Sequence, residues 1–276
     1  MTRALVLGGG GVTGVAWEWG LLAGLAQRGV VLADADLVVG TSAGSVVGAQ
    51  LCSGRPVRES YEAQLAPATG EVAARFGWPA VARLVWAGGR TRDAVRARAR
   101  VGAMAVAART PSEASRRAVI EARLPAREWP ARRLLVTAVD ATSGEFVVFD
   151  AASGVSLVDA VGASCAVPGV WPPVTIGDRR YVDGGVRSVV NADLAAGAER
   201  VVVLAPVTSG FGLMPRLSAQ VAALRSAARV AVVSPDRAAR AAIGRNVLDP
   251  ARRAAAARAG FAQAEAVAAE VAGVWG

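Results

Sequence analysis

The 276-residue chain contains no histidine and no lysine. Without an imidazole there is no Ser-His-Asp triad, and without an ammonium there is neither a Ser-Lys dyad nor a Walker-type lysine to reach a phosphate. Cysteine is scarce as well. Cys52 and Cys165 lie far apart in sequence and make neither a disulfide framework nor a metal cluster, which fits a reducing compartment. No uncharged apolar run approaches the roughly 18 residues that span a bilayer. The apolar N-terminal stretch flows straight into Gly8 to Gly11, and cleavage after it would discard the glycine loop, so no signal peptide is expected. The expected location is cytoplasmic. Aromatic residues supply only 5% of the chain against a hydrophobic share of 53%. That balance predicts a core of Ala, Val and Leu, ample for a single domain spanning residues 1–276.

Every one of the 31 basic residues is arginine, and the net charge is +9. Such a balance raises nucleic acid and anionic membrane as partners. The arginines are scattered, however, and the joint excess of Ala, Arg, Gly and Val reads as compositional bias. We therefore expect a generally basic surface and no specific nucleic-acid contact, with peripheral contact at an anionic membrane as a further option.

Apolar runs at 4–7 and 37–39 end in glycine turns, with helix-length sequence at 15–26 between them and a helix-capable run from Ala43 to Leu51 after the second. This order predicts a β-α-β-α unit on a parallel sheet. From about 55 to 130 the β-branched runs vanish and proline punctuates an Ala-, Arg- and Glu-rich segment, read as a helical cap. Within it, Arg90 to Arg109 suggests a basic amphipathic helix or simply a solvated face, and Trp78, Trp86 and Trp129 are candidates for packing anchors or a substrate mouth. Strand signals return at 134–139, 146–149, 200–205 and 230–233. Residues 164–191 read as loop-rich, and Pro250 to Val274 as a long alanine-rich helix. The fold class expected is α/β, a three-layer α/β/α sandwich with a mainly parallel sheet and a helical cap insertion.

Gly40-Thr41-Ser42-Ala43-Gly44 fits a nucleophile elbow: the serine sits at a sharp strand-to-helix turn, and the glycines remove collisions two positions either side. The loop Gly8-Gly9-Gly10-Gly11-Val12-Thr13-Gly14 presents backbone N–H groups that could hold an oxyanion. Read as Gly9-x-Gly11-x-x-Gly14, with Asp34 twenty residues on, it also meets the dinucleotide fingerprint, so both readings stand. Any base for Ser42 has to be a carboxylate. Asp183, in Asp183-Gly184-Gly185, is a candidate, although Asp-Gly is equally an ordinary turn signal.

Together these segments resemble the patatin-like phospholipase family. Gly9 to Gly14 is similar to its oxyanion loop, Gly40 to Gly44 to its elbow, Asp183-Gly184-Gly185 to its D-G-[AG] motif, and Ser164-Cys165-Ala166-Val167-Pro168 to its S-x-A-x-P segment. The likeness runs from residue 4 to about 205 and is weak through 55–130. It implies a Ser42–Asp183 dyad that hydrolyses carboxylic esters of lipids, an oxyanion hole from the N–H groups of Gly10, Gly11 and Ala43, and no metal or cofactor. One departure is Thr13, where the family's loop usually carries Arg or Lys. A patatin-fold protein that has lost activity and serves at a membrane surface is the other reading the resemblance leaves open.

Overall fold

Each of the six apolar runs read as a strand is one. A computed structural model of the chain describes residues 1–67, 74, 78–89, 91–210 and 212–276, with the backbone alone at 78–81 and 83. The side chain of Trp78 and the whole of Arg90 therefore lie outside the described residues. The first half holds β1 (Arg3–Leu7), α1 (Gly11–Gln27), β2 (Leu37–Gly40), α2 (Ala43–Cys52), α3 (Val57–Leu65), α4 (Trp78–Gly88), α5 (Ala94–Ala107) and α6 (Glu113–Arg123). The second holds β3 (Arg133–Asp140), β4 (Phe146–Phe149), α7 (Leu157–Ser164), β5 (Val174–Ile176), β6 (Arg179–Asp183), β7 (Arg200–Leu204), α8 (Leu217–Arg225), β8 (Arg229–Val233), α9 (Arg237–Ile243) and α10 (Arg253–Trp275).

The sheet order is β5-β6-β3-β2-β1-β7-β8, with β4 also paired to β3. From β3 to β8 the five strands run parallel, and β4, β5 and β6 are antiparallel additions at one side. Both faces are covered, so the strands read as continuous apolar runs rather than alternating ones. Alternate residues still choose faces. Leu5, Leu7, Val38, Val136 and Leu204 pack toward α1, α2, α7 and α10, while Ala4, Val6, Val39, Leu135 and Val203 pack toward α8 and the short helical turn Ala192–Ala195. This is a mainly parallel α/β sheet between helical layers.

Segment 55–130 has several neighbours. Helix α3 packs on α1 and α10, α6 packs on α7, and α5 with α4 lies over β3 and β6. The stretch read as loop-rich contains the β5–β6 hairpin, turning at Gly177 and Asp178. Of the tryptophans, Trp129 is a packing anchor, its Nε1 donating to the Val155 carbonyl at 2.7 Å, and Trp86 is 68% exposed.

The closest helix packing joins α1 to α10. A Cβ on Gly20 would stand 2.0 Å from the Ala257 carbonyl oxygen, and one on Gly260 would stand 2.3 Å from that of Trp17. Only hydrogen side chains let these backbones touch. Overpacking of this kind typically costs about 1–3 kcal/mol. Gly20→Ala is therefore expected to lower the melting temperature, whereas Gly273→Ala, on α10 with nothing within 4 Å of the added carbon, leaves it unchanged or slightly higher. Scanning calorimetry of the two variants checks this, and equal effects would overturn the account.

Candidate active site

The parallel strands β1 and β2 end side by side, Leu7 in register with Gly40, and the two glycine-bearing turns that follow them meet. After Gly40 the chain reverses into α2 within two residues. Ser42, between strand and helix, has φ 50° and ψ −112°, a conformation costing a non-glycine residue on the order of 1–3 kcal/mol. Neighbours hold it there. Its N–H donates to Ser164 Oγ at 2.9 Å, and its carbonyl accepts from Ser45 Oγ at 2.7 Å and from Cys165 Sγ at 3.3 Å. The turn closes only because Gly40 and Gly44 lack side chains: a Cβ on Gly44 would lie 2.0 Å from the Leu7 carbonyl oxygen, and one on Gly40 2.6 Å from Ser45 Cα.

Not all loop glycines are free to donate. The Gly9 N–H is spent on the Val189 carbonyl at 2.7 Å, Gly14 N–H on Gly10 O at 2.8 Å, and Gly44 N–H on Gly8 O at 3.0 Å. Gly10 and Gly11 at the start of α1 and Ala43 at the start of α2 have no backbone acceptor among the described residues. Gly11 has φ +60°, and a Cβ there would sit 2.5 Å from the Val247 carbonyl oxygen. Thr13 is fully buried, and both its N–H, at 3.1 Å, and its hydroxyl, at 3.2 Å, donate to that same carbonyl. A neutral tether to segment 244–249 thus occupies the position where a cation was the familial expectation.

Asp183 ends β6 and reaches Ser42 across β3. Gly184 makes the crossing possible, since a Cβ there would lie 2.2 Å from Thr137 Oγ1. The Ser42 side chain faces the Asp183 carboxylate and favours its ionised form, and Gly185 N–H donates to Asp183 Oδ1 at 2.7 Å. Burial dominates the electrostatics and pushes the carboxyl up to about 7. The Ser42 hydroxyl, the Gly185 N–H and the charge of Arg116 offset part of that rise.

Sequence reasoning missed the residues that fix this pair. Asn191, in the left-handed region at φ 53°, donates through Nδ2 to Thr41 Oγ1 at 3.0 Å and to the Ser188 carbonyl at 2.7 Å, and Thr137 Oγ1 bonds Thr41 Oγ1 at 3.0 Å. Arg187 pairs with both carboxylate oxygens of Asp193, at 2.7 and 2.6 Å. A lone asparagine in a turn was the one available signal, and its partners lie far off in sequence. Asp34, by contrast, is nowhere near the glycine loop. It lies ahead of β2, accepts from Trp275 Nε1 at 3.0 Å and pairs with Arg3, at the start of β1, at 3.0 Å. The acidic arm of the dinucleotide fingerprint is therefore employed at the opposite end of the strands.

Ser42, Asp183 and the loop glycines open onto a cavity of about 370 Å³, walled by apolar residues such as Leu84, Val101, Val186 and Leu248. Its size suits a small-molecule or single-chain ligand. A much smaller cleft of about 20 Å³ lies beside Ser42 and Ala43 and is lined by Arg116, Arg123 and Trp171, with the Arg116 guanidinium 4.0 Å from the Trp171 ring centre. Cys165 in that cleft has its thiol pushed up by burial and by the nearby Asp183, which keeps it a protonated donor.

A strained serine at a strand-to-helix turn thus sits beside a buried aspartate in a mainly parallel α/β fold. The sequence profile of the patatin-like phospholipase family matches residues 5–196. The chain belongs to that family, whose members are lipid acyl hydrolases. No significant match is found among curated protein sequences. Among solved structures it is similar to VipD from Legionella pneumophila, at 14% identity and a TM-score of 0.51 over 98% of this chain and 67% of that one. It is also similar to the type III effector protein ExoU, at 16% identity and a TM-score of 0.45 over 98% of this chain and 53% of that one. The chain thus spans two-thirds of the one and about half of the other, and the VipD likeness speaks for the fold.

A buried aspartate that titrates near 7 costs stability when charged. Below the ordinary carboxylate value of 3.8 both folded and unfolded states hold the proton, and the penalty grows as pH rises from there through about 7. Linkage makes it on the order of 4 kcal/mol at alkaline pH. Asp183→Asn is thus expected to melt progressively higher than wild type between pH 4 and pH 8. Glu18, fully buried in α1 and also pushed up by burial, is common to both proteins and cancels in the comparison. Thermal melts across that range check it, and a pH-independent difference would overturn it.

Proposed function

We propose that the chain is a serine acyl hydrolase acting on carboxylic esters of lipids, with Ser42 as nucleophile and Asp183 as its base. The observation that carries this reading is a strained Ser42 beside the buried Asp183 carboxylate, both lining one apolar cavity. Ser42 Oγ attacks the ester carbonyl while Asp183 takes its proton. The tetrahedral oxyanion is met by the N–H groups of Gly10, Gly11 and Ala43, each worth about 100-fold or more in rate. Asp183 returns the proton to the leaving alcohol, and water, activated by the same carboxylate, releases the acid from Ser42. We read residues 1–276 as one hydrolase unit in which α4 and α5 cover the site. No helix among the described residues is long and apolar enough to cross a membrane.

A fluorophosphonate probe is expected to label Ser42, identified by peptide mapping, and to label neither Ser42→Ala nor any other residue. Asp183→Asn is expected to lose at least about 100-fold in kcat/KM on a chromogenic acyl ester. Full turnover in either variant would overturn the dyad, and an unlabelled folded wild type would favour the reading of a family member without activity.

The pH profile gives a separate check. With the base titrating at about 7, kcat/KM is expected to fall about tenfold per pH unit below that midpoint and to level off above it. An imidazole-like profile would thus come from a chain with no histidine. A flat profile between pH 5 and 8 would mean that Asp183 is not the base.

A further inference from the structure

Among the described residues, five of the seven large apolar side chains that are exposed, Val85, Trp86, Val95, Val106 and Leu213, belong to α4, α5 and the loop that shares the cavity lining with them. Val85 and Leu213 line the cavity yet are 45% and 46% exposed, which puts them on its rim. Trp86, next to Val85, is more exposed still. The neighbouring helix carries charge on its outer side. Arg96 and Arg100, four residues apart on α5, are exposed, as is Arg92 just ahead of the N-cap Asp93, whereas Ala97, Val101 and Ala105 of the helix are buried. Arg98 is not part of this face, because its Nε donates to the Gly144 carbonyl at 2.7 Å. Asp93 offers Arg96 an exposed ion pair at 3.6 Å, a weak contact that leaves the face cationic.

We propose that this rim and the adjoining arginine face form a docking surface for an anionic lipid bilayer, aligning the cavity mouth with the membrane so that a lipid acyl chain enters without crossing water. The proposal rests on the hydrolase reading for what enters the cavity, though not for the surface itself. Exposed tryptophan and aliphatic side chains suit the headgroup–acyl boundary, and a cationic helix face beside them supplies the electrostatic half of interfacial binding. Three arginines near an anionic bilayer contribute enough for about a 100-fold change in partition. Continuity of the exposed apolar rim with the apolar cavity favours a lipid occupant over a second protein, and a positive face favours anionic lipid over zwitterionic.

The full chain carrying Ser42→Ala, which separates binding from turnover, would be sedimented with vesicles of phosphatidylcholine alone and of phosphatidylcholine mixed with phosphatidylglycerol. Binding to the mixed vesicles is expected, weakened by salt, reduced about 100-fold by R92Q/R96Q/R100Q and reduced on both vesicle types by Trp86→Ser. In the background with Ser42 intact, the same substitutions are expected to leave kcat/KM on a soluble short-chain ester unchanged while hydrolysis of vesicle lipid falls with binding. No vesicle binding, or equal binding by the variants, would overturn the proposal. A dimer lost on Trp86→Ser in sedimentation velocity, with no lipid binding, would assign the surface to a second copy instead. Vesicle binding without any soluble-ester turnover by the wild type would uphold the docking surface and defeat the hydrolase reading.

Discussion

The arrangement depends on how far one carboxylate has been taken out of water. An aspartate at its ordinary value is too weak a base to take a serine proton at neutral pH. Burial at the end of β6 raises the basicity of Asp183, and the surroundings trim it: the Ser42 hydroxyl, the Gly185 N–H and the Arg116 charge all favour the ionised form. Deeper burial without them would leave the group protonated, and solvent access would return it to the range of a surface carboxylate. Asp183 sits between those limits. Glu18 illustrates the first: it is fully buried, and burial outweighs the Gly8 N–H nearby and pushes its carboxyl well up.

Holding a serine against such a carboxylate requires backbones to pass closer than side chains permit. Gly44 rides over Leu7, Gly40 over Ser45, and Gly184 over Thr137. These three contacts tie β1, β2, β3 and β6 into one rigid corner, and the Thr41–Thr137–Asn191 hydrogen bonds fill the polar space behind it. The positive φ of Ser42 is sustained by this crowding: each neighbouring group fixes a backbone atom that would otherwise relax. A site so built fixes the Ser42 backbone in one orientation beside Asp183.

Much of this is legible in the amino-acid sequence, for local reasons. Valine runs buried on both faces announce parallel strands, and glycine spaced around a serine announces a turn, so the sheet core and the elbow can be read from their own residues, while Asp183 stands out only through the family resemblance. What is not legible is long-range or irregular. The strands β5 and β6 are short, and Arg179 and Arg180 interrupt their apolar pattern, so a hairpin reads as loop. Asp183-Gly184 reads as a turn and in part is one: its carboxylate accepts from Gly185 N–H while also meeting Ser42. Segment 55–130 reads as a single cap because its helices share a composition, yet α3 and α6 have different neighbours from α4 and α5. Composition reports the propensity of a helix and not its address.

The family likeness itself stops short of what completes the site. It matches residues 5–196, whereas the glycine loop is fastened by Thr13 to Val247, and Leu248 and Leu213 close the cavity. Helix α10, later still, packs on α1 through Gly20 and Gly260, so the helix whose first residues hold Gly10 and Gly11 in place is set from behind by the last element of the chain. A cation in the loop would order it through charge; here a buried threonine and two hydrogen bonds to one carbonyl do so through shape. The consequence is a dependence running backwards along the sequence. Any shift of segment 244–249, far outside the recognisable motifs, moves Gly11 directly, because the two backbones stand closer than an added methyl group would allow.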